Sequence, residues 1–177
     1  MEARDISRSH IPPFEISLRI RHPSIDPAQI SRELRLQPEH CFKAGEPRES
    51  SSGSPLTSVH AESYWLASLD SVTAAATSSP SGAIAAIGGI SEERARMARE
   101  KWNAATQMSL GMALDALVVA FLRPHAEFIR RLQAEEGQMS LLIELSMHQL
   151  SGFTLSPQFT RVLSDLGISV EFDFVSD

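Results

Sequence analysis

From Phe14 to Ile20 apolar side chains occupy every second position, with Glu15, Ser17 and Arg19 between them, which predicts a half-buried strand. Asp26 then stands where an N-cap belongs, Pro27 at the first helical position and Gln29 three residues after the cap. Ile25 and Ile30 have the spacing of a hydrophobic staple, and Ile30 with Leu34 gives the short helix its buried side. That helix is spent by Leu36, since Pro38 follows. The same recipe recurs near the end of the chain. Met139, Leu141, Ile143, Leu145 and Met147 alternate with Ser140, Leu142, Glu144, Ser146 and His148, the clearest strand pattern present. Ser156 and Pro157 open a helix with Phe159, Val162, Leu163 and Leu166 as its core stripe. Gly167 sits at a left-handed C-cap position, and Ile168, Val170, Phe172 and Phe174 make a final strand.

Between these passages the pattern is weaker. His40 to Gly45 reads as a short strand, and Tyr64-Trp65-Leu66-Ala67 as another with one aromatic on each face. The Ser-, Pro- and Gly-rich stretch from Glu46 to Ala61 reads as a hairpin loop of about 15 residues, long for a compact domain. Leu110, Leu114, Leu117, Val118, Phe121 and Leu122 form a helical stripe that Pro124 interrupts, by a kink or by a new helix. Phe128, Ile129 and Leu132 continue the apolar set, and Gly137 closes it. Residues 1–13 read as a flexible leader, 14–177 as one α+β domain, and 70–109 as a low-complexity insertion with one surface helix. The first six elements follow the split strand–helix–strand pattern. The expected fold is a ferredoxin-like two-layer sandwich, with a mainly antiparallel sheet of about five strands and helices on one face. A parallel final pair, joined by the last helix, stays open.

The chain resembles the bacterial proteins grouped as domain of unknown function family 4279. The likeness is carried by the Asp26-Pro27 helix start, Pro38 to Gly45-Glu46-Pro47-Arg48, Tyr64-Trp65, the long second helix, and Phe153-Thr154-Leu155-Ser156-Pro157 with Leu166-Gly167-Ile168. It lies in order and spacing across most of residues 14–175, and residues 70–109 depart from it. The resemblance implies a fold and no catalytic residue.

Composition narrows the function classes. Apolar residues at 42% support a sizeable core. Twenty-two acidic against 16 basic residues give a charge of -6, which disfavours a nucleic-acid binder; Arg130-Arg131 and the Arg94–Lys101 cluster read as solvated helix faces. One cysteine allows no internal disulfide and no cysteine-based zinc set. The polar start and the lack of a spanning apolar run lead to the expectation of a cytoplasmic protein off the membrane.

The strongest binding patch in the sequence is Lys43, Gly45, Glu46 and Arg48 with Trp65, a polar loop with both charge signs and Trp65 as its expected aromatic floor. The plainer reading gives Gly45 a tight turn, Trp65 a plug at the core edge, and Glu46 a surface pair with Arg48 or Lys43. His40 and Cys41, adjacent on a strand, point apart and make a poor catalytic pair; Cys41 reads as a small buried hydrophobe. The six histidines are scattered without metal-ligand spacing, so no catalytic residue, metal or cofactor is assigned. The leading expectation is a non-enzymatic domain that binds an unknown protein or small polar ligand. A small enzyme with a site in the 40–65 region and a structural homodimer are the alternatives.

Overall fold

The structure, a computed structural model, describes residues 14–50, 53–73, 110–146 and 153–175. The expected leader, most of the 70–109 insertion, and Met147 with His148 lie outside the described residues. The elements run β1 (Phe14–His22), α1 (Pro27–Leu34), β2 (His40–Phe42), β3 (Pro47–Glu49), β4 (Pro55–Val59) and β5 (Ser63–Ser68). There follow α2 (Leu110–Leu117) with a π-helical turn over Val118–Leu122, α3 (Ala126–Ala134), β6 (Gln138–Ser146), α4 (Pro157–Asp165) and β7 (Ser169–Val175).

Five strands form one sheet in the order β2-β5-β1-β6-β7. The first three junctions are antiparallel, and β6–β7 is parallel with α4 as its crossover. Its first four strands have the split strand–helix–strand order, so the fold is a ferredoxin-like α+β sandwich with one strand added. Phe14, Ile16, Leu18 and Ile20 of β1 and Met139, Leu141, Ile143 and Leu145 of β6 are buried on one face. Ile30 and Leu34 of α1, Leu114 and Leu117 of α2, Ile129 of α3 and Phe159 and Leu163 of α4 join them in a single core. Both recurrent strand-to-helix passages therefore feed the same sheet, on neighbouring strands.

The cap chemistry works as the residues suggest. Asp26 accepts a hydrogen bond from the Ala28 N–H at 2.8 Å, Pro27 takes the first helical position, and Ile25 and Ile30 are both buried. Ser156 accepts from the Phe159 N–H at 3.0 Å and gives its own hydroxyl proton to Asp115 of α2, tying α4 to α2.

Two expectations need correction. The 46–61 stretch is not a plain loop, because β3 and β4 pair into a two-stranded ribbon outside the main sheet. The ribbon strands carry no buried alternation, so periodicity had nothing to detect. At Pro124 the helix is interrupted in a π turn, the Arg123 N–H reaching Val118 O at 3.0 Å, and α3 starts at Ala126, so the proline precedes the new helix and is not in its first turn. A proline ring clashes with the carbonyl four residues before it in a regular helix, which is why an interruption falls here. Phe174 lies in the final strand as expected and is 58% exposed on β7, the outer strand of the sheet.

Candidate functional site

The residues singled out in the sequence gather where β2 leaves the sheet. Residues 43–46 form a turn closed by the Glu46 N–H on Lys43 O at 3.1 Å. Gly45 adopts φ +82° at its third position, the left-handed conformation that such a turn requires there. A Cβ there would meet nothing within 4 Å, so backbone conformation rather than space selects glycine. The Gly45 N–H donates to His60 O at 2.9 Å and the His60 N–H to Glu46 O at 2.9 Å, which extends the strand pairing into the ribbon. Ser63, buried in β5, accepts from the Ala44 N–H at 3.0 Å and locks the turn to the sheet.

Lys43 and Glu46 meet through backbone rather than as an ion pair. The Glu46 carboxylate accepts from the Lys43 N–H at 2.8 Å, whereas the Lys43 ammonium donates to Asp26 at 3.1 Å. Arg48 is exposed on β3 and is not Glu46's partner. Trp65 is brought to the same strand region but faces the other way. It is 0% exposed beneath α1, its indole N–H donating to Ser31 Oγ at 3.0 Å, so it plugs the core and supplies no open floor.

The aromatic surface is made by other rings. Phe42 stacks on His60 with centroids 3.7 Å apart and on Tyr64 at 5.1 Å, three rings in a row on the sheet face away from the helices. The row ends near Arg21, which pairs with Glu62 and lies opposite Tyr64 in the sheet. Nothing local in sequence joins Phe42 to His60. The outward position of Tyr64 and the hairpin register that sets Phe42 opposite it are the signals that foreshadow the stack.

Cys41 is exposed, which corrects its reading as a buried hydrophobe. It lies opposite Trp65, but β2 is an edge strand with no neighbour on its outer side. His40 and Cys41 fall on opposite faces, as strand geometry demands. Among the described residues no group of three or more His, Cys, Asp or Glu is placed to hold a metal ion, and no helix is long and apolar enough to cross a membrane.

Asp26 links this turn to α1 and makes the region acid-sensitive. The Ala28 N–H, and secondarily the Lys43 ammonium, hold its carboxyl below the usual carboxylate range. A carboxyl so depressed stabilises the fold above the range in which the unfolded chain titrates, and that stabilisation is lost as pH falls through the lowered native value. Asp26→Asn keeps a cap acceptor without the charge. Urea midpoints should therefore favour wild type at neutral pH and converge as the buffer becomes strongly acidic; a gap that ignores pH would contradict this origin.

Comparison of the chain with protein-family models, with curated proteins and with solved structures finds no match.

Proposed function

We propose that the chain is a non-enzymatic binding domain that docks onto another protein through the β3–β4 ribbon and the adjoining turn at 43–46. The observation that supports this reading is the ribbon's exposure. Leu56 is 44% exposed and Val59 55%, next to exposed Arg48, and none of the ribbon residues whose burial is described belongs to the core. A two-stranded ribbon is marginal by itself in water. Apolar side chains held on such an element, with charges around them, suit the centre and rim of a protein contact. The His60–Phe42–Tyr64 row at its base adds half-buried rings of the amphipathic type favoured at interfaces. No particular observation favours the enzyme reading: the His60 ring is spent on Phe42, and His40 and Cys41 point apart. The family resemblance and the cytoplasmic location belong to the same proposal.

The test places a photo-crosslinking residue at Val59 and, as control, at exposed Ser164 on α4. In native lysate Val59 should yield one saturable adduct with a different protein, competed by unlabelled wild type and absent from Ser164. Leu56→Ser with Arg48→Ala should weaken competition about tenfold without altering the melting curve. Adducts equal at both positions, or none that wild type competes, would sink the proposal; an adduct only with a second copy would move it to the homodimer.

A further inference from the structure

A second feature, independent of the ribbon, lies between α3 and α4. The two helices enclose an open groove of about 440 Å³, lined by Arg123, Arg130 and Arg161, by Val162 and Leu166, and by Asp165 at one side. That volume falls within the range of small-molecule sites, roughly 300–1,000 Å³. A basic concavity is unexpected in a chain of net charge -6. More telling, these three guanidinium groups make no ion pair among the described residues, although acids are within helical reach. Glu127 is four residues from Arg123 and three from Arg130, and Asp165 is four from Arg161. Arg131 behaves differently. It pairs with Glu33 of α1 at 3.0 Å and lies over the Phe128 ring, so the Arg130-Arg131 doublet splits into one arginine tying helices together and one facing the groove.

We propose that this groove binds a small organic anion: a phosphate monoester or a dicarboxylate that also carries a hydroxyl or amino group. Planar guanidinium forks match the paired oxygens of both anions, and three of them around one concavity favour more than one negative charge. Val162 and Leu166 offer an apolar floor for a short carbon frame. Asp165 is the one acid in the lining, and it takes a hydrogen bond from the ligand's hydroxyl or amino group.

Calorimetric titration at fixed ionic strength tests the proposal, with glycerol phosphate, malate, inorganic phosphate and glycerol as probes. Glycerol phosphate or malate should bind saturably, one per chain, about tenfold more tightly than inorganic phosphate, and the better of the two identifies the anion's source. Arg130→Gln and Arg161→Gln should each weaken that binding about tenfold or more, whereas Arg32→Gln on α1 should not. All these side chains are exposed, so the variants should keep the wild-type melting curve. Asp165→Asn should reduce the advantage of the organic anion over inorganic phosphate. The proposal fails if every probe binds without saturation, if inorganic phosphate binds as tightly as both organic anions, or if Arg32→Gln weakens binding as much as the groove variants.

Discussion

Trp65→Ala is expected to destabilise the domain by about 3–5 kcal/mol, a large part of the total stability of a domain this size. The side chain is completely buried, flanked on its strand by buried Ser63 and Ala67, and α1, with Ile30 and Leu34 in the same core, packs against that strand. Truncation leaves a cavity that cannot collapse without moving α1 off the sheet. It also removes the indole N–H from Ser31 Oγ, which itself donates to Pro27 O at 3.2 Å in the first turn of α1. Trp65→Phe keeps a ring in the cavity but leaves Ser31 without its donor, and should cost about 1–3 kcal/mol. Urea denaturation followed by circular dichroism reads both losses as a lower midpoint with an unchanged slope. A Trp65→Ala midpoint close to wild type would mean that α1 is not seated as described. Partner capture by Trp65→Ala would report unfolding rather than recognition, so ribbon variants are the cleaner probe.

Trp65 also shows where one-dimensional pattern runs out. Alternation in Tyr64-Trp65-Leu66-Ala67 established that the two aromatics face opposite ways, but nothing within those four residues says which side the helices cover. That choice is made by β1 and β6, whose unbroken apolar faces decide where the core lies. The elements legible in the chain were those with local chemistry: Asp26-Pro27, Ser156-Pro157 and the period-two runs of β1 and β6. What stayed hidden depended on partners distant in sequence. Parallel pairing of β6 with β7 is a decision of the crossover helix, not of either strand. The ring row needs Phe42 and His60 brought across the ribbon's base, and the arginine groove needs residues 123–130 laid against 161–166. The ribbon left no periodic trace for a different reason: its described side chains are exposed on both faces and need no hydrophobic period.

Gly137→Ala is expected to cost about 1–3 kcal/mol, and the reason is not the one glycine at a helix end usually implies. The end of α3 is a Schellman turn, with the Glu136 N–H on Gln133 O at 3.0 Å and the Gly137 N–H on Leu132 O at 2.8 Å. Its left-handed residue is Glu136, at φ 65°, and Gly137 has no positive φ. Gly137 is required by space. A Cβ there would sit 2.6 Å from Leu132 O and 3.0 Å from the His22 ring. Neither neighbour yields easily, since Leu132 O already accepts from the Glu135 and Gly137 N–H groups. The buried His22 ring is held by its Nδ1, which accepts from the Ser24 and Ile25 N–H groups at 3.1 and 2.9 Å. The two adjacent positions should therefore respond in opposite directions. Glu136→Gly relieves a left-handed conformation that costs a residue with a Cβ about 1–2 kcal/mol, partly offset by the greater freedom of glycine in the unfolded chain, so a net gain of about 1 kcal/mol or less is expected. Gly137→Asn, harmless if position 137 were the left-handed cap, should be at least as damaging as Gly137→Ala. Paired thermal and urea unfolding of the three variants separates the two accounts: a tolerated Gly137→Asn with a destabilised Glu136→Gly would place the left-handed residue at 137 instead.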